Sequence, residues 1–145
     1  CLRLVKIYQV LWAYLFMCRI AVLDDDRNWC IALQRFLKNT FEVSVFNDAN
    51  SLIEDLIQDV RQYDLIMVDL SLPPDAYGEI DGRKFIRYIR EVLLEPPILV
   101  LVTAFIGKNE LNSGEIFCKE ADAFLAKDAG LDEISRQLQQ LLVNR

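Results

Sequence analysis

The residues best able to do chemistry in this chain stand at the ends of short apolar runs. Asp24, Asp25 and Asp26 follow IAVL, Asp69 follows LIMV, Thr103 follows ILVLV, and Lys127 follows AFLA. If these ends share one edge, several carboxylates come together. Like charges held that close repel, and one must take a proton unless a cation neutralises them. A small all-oxygen donor set suits Mg2+, which holds octahedral geometry and keeps several waters. A carboxylate beside that ion can attack a phosphoryl group, because the metal offsets the repulsion between nucleophile and phosphate. Thr103 can then donate a hydroxyl hydrogen bond to the new phosphoryl oxygens, and Lys127 a charge-assisted one.

Each residue taken alone has a plainer explanation. Asp26, or the whole acidic run, can cap a helix that starts near residue 27. Asp69 can open a turn before Pro73-Pro74, Thr103 suits any strand, and Lys127 can be a solvated charge. The ordered set of polar strand ends argues against independent accidents.

What must position these residues is an alternation of strands and helices. IAVL (20–23), LIMV (65–68) and ILVLV (98–102) are continuous apolar runs, as expected of parallel strands covered on both faces. FEVSVF (41–46) alternates instead, with Phe41, Val43 and Val45 opposing Glu42 and Ser44, which suits an edge strand. AFLA (123–126) is a fifth, short strand. Between them, Trp29, Leu33, Phe36 and Leu37 share a helical stripe. So do Leu52, Ile53, Leu56, Ile57 and Val60, then Phe85, Ile86, Ile89 and Leu93, and last Leu131, Ile134, Leu138 and Leu141. Residues 107–118 are read as a short or broken helix, since Asn112-Ser113-Gly114 interrupts them. The alternation predicts an α/β fold of flavodoxin-like type: a doubly wound, five-stranded parallel sheet in the order 2-1-3-4-5, with helices on both faces. Ligands in such sheets sit beyond the carboxyl ends of the strands where the order reverses, here between the first and third strands.

Composition narrows the classes further. A chain of 145 residues that is 53% hydrophobic fits one domain with an ample core. The net charge of −6 argues against direct nucleic-acid binding. With no histidine, a His-based triad, an imidazole zinc ligand and a phosphohistidine carrier are all excluded from this sequence. Cys1, Cys18, Cys30 and Cys118 show no C-x-x-C spacing and read as buried or incidental thiols of a reducing cytosol. No P-loop or G-x-G-x-x-G turn points to a nucleotide. The apolar run VLWAYLFMC (10–18), preceded by Arg3 and Lys6, has the order of a signal sequence but no small-residue cleavage site. It is shorter than the roughly 20 residues that span a bilayer, so no membrane association is expected.

The stretches RIAVLDDD (19–26), YDLIMVDLSLP (63–73), ILVLVTA (98–104) and ADAFLAK (121–127) together resemble the receiver domains of two-component response regulators. The resemblance runs from residue 18 to about 142 and divides the chain into an N-terminal extension, 1–17, and a receiver domain, 18–145. It implies that Asp69 is the phosphoacceptor and that Asp24 and Asp25 are the acidic pair for Mg2+, with Asp25 the direct ligand. Ser71 would add its backbone carbonyl to the metal. Thr103 and Lys127 match the switch hydroxyl and the phosphate-contacting lysine, and Phe124 the aromatic switch position. The partner implied is a sensor histidine kinase or a histidine phosphotransfer protein, with no turnover enzyme activity.

Three departures from the family pattern carry expectations of their own. The stretch PDAYGEI (74–80) lengthens the loop between Asp69 and Gly82. Asp128 replaces the common proline after Lys127. The interrupted segment 107–118 lies where an output surface often forms, which leaves homodimerisation open. Ser71 and Phe105, two positions after Asp69 and after Thr103, would flank the path of attacking water, and the bulk of Phe105 would slow hydrolysis. Two other readings compete. One is an interaction module of the same fold that no longer accepts phosphate. The other is a haloacid-dehalogenase-like phosphatase, although Leu70-Ser71 after Asp69 departs from that class's Asp-x-Asp motif.

Overall fold

Five strands form one parallel sheet, the inner ones apolar enough to be covered on both faces. The computed structural model describes residues 17–59, 62–72, 81–104 and 118–145. Residues 1–16, Val60, the 74–80 stretch, Phe105 and residues 107–117, on which several of the sequence expectations fall, lie outside these. The strands are β1 (Arg19–Leu23), β2 (Glu42–Phe46), β3 (Leu65–Asp69), β4 (Ile98–Thr103) and β5 (Ala123–Ala126). They pair in parallel in the order β2-β1-β3-β4-β5, the order expected from the sequence. The central β3 is buried along its whole length, whereas the edge strand β2 is only half-buried, as its alternation of residue types requires.

The helices are α1 (Arg27–Leu37), α2 (Ala49–Gln58), α3 (Gly82–Val92) and α4 (Leu131–Val143). Aspartates begin the first three. The side chains of Asp26, Asp48 and Asp81 accept from the backbone N–H of Trp29, Ser51 and Lys84 at 3.1, 2.9 and 3.0 Å. Gly130 starts α4 with φ +91° and ψ 150°, a conformation that is essentially confined to glycine.

The layers follow from strand alternation. On one face, Ile20, Val22, Leu65, Met67, Val100 and Val102 meet Cys30, Leu33 and Leu37 of α1 and Ile134, Leu138 and Leu142 of α4. On the other face, Ala21, Leu23, Ile66, Val68, Leu99 and Leu101 meet Leu52 and Leu56 of α2 and Phe85, Ile86 and Ile89 of α3. Two expected core residues are instead exposed, Phe36 by 43% and Ile57 by 74%. In α1 the inner line runs through Cys30, Leu33 and Leu37, which turns Phe36 toward solvent. In α2 the line through Ala49, Leu52 and Leu56 leaves Ile57 on the rim. Among the described residues, no helix is long and apolar enough to cross a membrane.

Candidate functional site

The strand register brings the acidic residues together. Leu23 of β1 pairs with Val68 of β3, so Asp24 and Asp69 are the next residues on adjacent strands. Alternation turns both toward the face covered by α1 and α4. Asp24, Asp25 and Asp69 each offer an oxygen within 4.8 Å of the others. Asp24 is 1% exposed and Asp69 5%, while Asp25 is open to solvent. The acidic run therefore divides its labour. Asp26 caps α1, its own N–H donates to Asp24 Oδ1 at 2.9 Å, and Asp24 and Asp25 face the pocket. The backbone at Asp24 is fixed as well. Its N–H donates to the Phe46 carbonyl at 3.0 Å, and its carbonyl accepts from the Asn47 amide at 2.9 Å and the Cys30 thiol at 3.6 Å.

Lys127 reaches the same place from the far edge of the sheet. β5 ends at Ala126 and the chain turns into a short 3-10 helix over Lys127–Ala129, which leaves the lysine 13% exposed. Its ammonium lies 2.7 Å from Asp24 Oδ2, 3.8 Å from Asp69 Oδ2 and 4.7 Å from the ring centroid of Trp29. Burial alone would lower its pKa. The close contact and charge of Asp24, with the charges of Asp69 and Asp26, outweigh burial and hold it above the ordinary lysine value. Asp69 is pushed the other way for a carboxylate. Burial, then repulsion from Asp24, raise it to about 6, against the opposing pull of Lys127 and the Ser71 N–H. That N–H donates to Asp69 Oδ1 at 3.3 Å, so the turn expected after the strand is also present.

The donor set fits a small divalent cation. It is all oxygen, and Asp24 Oδ2 is a buried atom without a hydrogen bond, since its contact with Lys127 has the distance but not the angles of one. Asp25 is solvent-facing, which leaves an approach to the cluster. Ser71 sits at the exposed side of the pocket, two residues past Asp69. Thr103 ends β4, is 2% exposed, and lies one step beyond Val102, the register partner of Asp69. Phe124 pairs with Leu101 and is half-buried against the α2/α3 core. By alternation Thr103 shares that face of the sheet with it.

The family model of the response regulator receiver domain matches residues 20–139. The chain belongs to this family. Receiver domains are signalling switches of two-component systems, not turnover enzymes. Solved receiver structures share the fold at low identity. A beryllofluoride-activated DrrB receiver domain is 22% identical with a TM-score of 0.67, over 90% of this chain and 100% of that one. A two-component response regulator from Clostridium difficile is 20% identical with a TM-score of 0.69, over 89% and 98%. A receiver domain protein from Methanospirillum hungatei is 18% identical with a TM-score of 0.69, over 88% and 95%.

Three contributors to this receiver pocket were not singled out from the sequence as site residues. Trp29 reads there as a core residue of α1, and Asn47 carries no local signal for its bond to Asp24. Gly82 enters the sequence reading only as the end of the loop after Asp69, yet a Cβ on it would collide with the Asp69 carbonyl oxygen and come within 2.9 Å of Leu70 Cα.

Proposed function

We propose that this receiver domain takes a phosphoryl group on Asp69, with Mg2+ held by Asp24, Asp25, Asp69 and the Ser71 carbonyl. The donor is the phosphohistidine of a sensor kinase or a histidine phosphotransfer protein, and the setting is the cytoplasm. The observation that carries the reading is the convergence of a buried Asp69 with Asp24, Asp25 and Lys127 at one sheet edge.

In this scheme an Asp69 carboxylate oxygen forms a bond to phosphorus as the phosphorus–nitrogen bond of the donor histidine breaks, leaving an acyl phosphate. When bound, the divalent cation supplies positive charge that stabilises the carboxylate and offsets its repulsion from the incoming phosphoryl group. Lys127 neutralises charge on the phosphoryl oxygens, and its position between Asp24 and Asp69 lets it do so by a small displacement.

Acetyl phosphate with Mg2+ is expected to add one phosphoryl group, seen by intact mass, and Asp69→Asn to abolish it. Beryllofluoride is expected to bind the wild-type chain only when Mg2+ is present. A chain that takes up neither reagent at saturating Mg2+ is an interaction module that no longer accepts phosphate.

The switch follows from the face shared by Thr103 and Phe124. A phosphoryl group draws the Thr103 hydroxyl toward it, and the Phe124 ring turns into the space released. One charge-assisted hydrogen bond contributes about 1.5–3 kcal/mol. Inverting a 1:99 population takes about 5.5 kcal/mol. Thr103 alone is therefore too weak, and Lys127 and the repacking of Phe124 supply the remainder. Phe124→Ala is expected to keep phosphorylation while reducing the chemical-shift changes it causes around β5 and α4. Unchanged shifts in that variant refute the role of the ring.

A further inference from the structure

One feature of the pocket belongs to neither the acidic cluster nor the switch pair. Trp29 sits in the first turn of α1, where its backbone N–H is tied to the Asp26 cap at 3.1 Å. Its ring is partly buried against the α1/α4 core, and its face lies 4.7 Å from the Lys127 ammonium. A lysine head at that distance over an indole face is held by the ring's electrostatic quadrupole.

We propose that Trp29 is a positioning residue for Lys127: its indole face fixes the ammonium over the acidic pocket, within reach of both Asp24 and Asp69. The physical need is clear from the side chain itself. Lysine has four rotatable carbons and a compact, strongly hydrated charge that no planar geometry orients. Asp24 at 2.7 Å pulls it more closely than Asp69 at 3.8 Å, so the carboxylates alone bias it away from the acceptor. The ring adds a third contact from the α1 side to a lysine side chain that is 13% exposed. Because the cap fixes the Trp29 backbone, the acidic run sets the lysine's position as well as the metal ligands.

The inference rests on Asp69 as phosphoacceptor for its consequence, but its geometry can be tested separately. In the full chain, the Lys127 ε-CH2 protons are expected to resonate upfield of free lysine through the ring current of Trp29. Trp29→Leu is expected to remove that shift, and Trp29→Phe to keep part of it. The rate of phosphorylation by acetyl phosphate is expected to fall about tenfold in Trp29→Leu, the scale of a largely desolvated cation–π contact. Trp29→Phe should recover most of the rate, and Trp29→Leu should cost nothing further in a Lys127→Ala background. Mg2+-induced thermal stabilisation is expected to persist in every Trp29 variant.

Two results overturn the proposal. One is an unshifted Lys127 signal in the wild type, or one that Trp29→Leu leaves unchanged. The other is an equal loss of rate from Trp29→Leu with and without Lys127, which would mean that Trp29 acts through folding. A wild-type chain that takes up no phosphoryl group sinks the functional reading instead, and the lysine signal still decides on Trp29.

Discussion

Asp69→Asn is expected to make the metal-free chain more stable at pH 7.5 while removing its capacity to take a phosphoryl group. The gain comes from the price of collecting carboxylates in a buried pocket. Burial and the charge of Asp24 raise Asp69 from 3.8 to about 6. That difference corresponds to about 3 kcal/mol between its charged and neutral forms. Asp69 is 5% exposed, so little of this is lost to solvent screening.

The sign follows from linkage. A carboxylate raised in the folded state favours folding fully below its unfolded value, and that contribution disappears as pH rises through about 6. Metal-free wild type therefore carries the whole penalty at pH 7.5 and almost none near pH 3.8. Asparagine resembles the neutral form at every pH. The variant should gain up to about 3 kcal/mol at pH 7.5, roughly 2–4 °C in melting temperature per kcal/mol for a chain of this size. The gap should narrow steadily toward pH 4.

Thermal melts in a chelator, run across that range, check the prediction. Saturating Mg2+ should close much of the gap at pH 7.5, because a ligand that binds only the folded state stabilises it by mass action and the wild type keeps the full donor set. An Asp69→Asn chain that melts below wild type in chelator at pH 7.5, or gains equally at pH 4, would show that the pocket does not strain Asp69.

The sheet was legible because its signal is local. A continuous run such as LIMV, alternating along the chain with helical stripes, suits a strand covered on both faces, and the polar residue after each run then lands at the same edge. That is why Asp24, Asp69, Thr103 and Lys127 could be placed before the structure. What stayed hidden depends on contacts across the chain. The run Asp24-Asp25-Asp26 could be read as a cap or as a metal site. In the structure Asp26 is the cap, while Asp24 and Asp25 gather with Asp69 in an acidic cluster that could hold a cation, because consecutive residues leaving a strand face different ways. Cys30 is a buried thiol, 2% exposed, as one of the sequence's readings of the cysteines has it, but its place on the inner line of α1, which displaces Phe36 to the surface, carries no local signal. Burial pushes that thiol up to about 12, so its part is packing rather than reactivity. Helical periodicity finds a stripe but not its centre, and the same error put Ile57 inside. Trp29 fits the stripe as well as any core residue, and only the position of Lys127, on another strand, gives it a second role.

Gly82 is where two local rules point in opposite directions. As the first residue of α3, it should gain from replacement by alanine, since glycine costs a helix interior up to about 1 kcal/mol. The neighbours decide otherwise. A Cβ at this position meets the Asp69 carbonyl and Leu70 Cα at 2.9 Å or less, and these are backbone atoms with no rotamer to relax into. The Gly82 N–H also donates to the Leu70 carbonyl at 3.1 Å, which holds the start of α3 against the end of β3. The helix cannot simply lift away, because Phe85, Ile86 and Ile89 below it are buried to within 2%. Gly82→Ala is therefore expected to lose about 2–3 kcal/mol, the upper range for overpacking. Part of the strain falls on the peptide of Asp69, so beryllofluoride affinity should fall with it. Gly130→Ala separates the two effects. Its φ of +91° makes alanine costly by about 1–3 kcal/mol. No atom lies within 4 Å of the added Cβ, so beryllofluoride binding by the folded chain should persist. Urea unfolding and beryllofluoride titration of both variants check this. A Gly82→Ala chain as stable as wild type would show that helix propensity, not the approach to Asp69, governs the position.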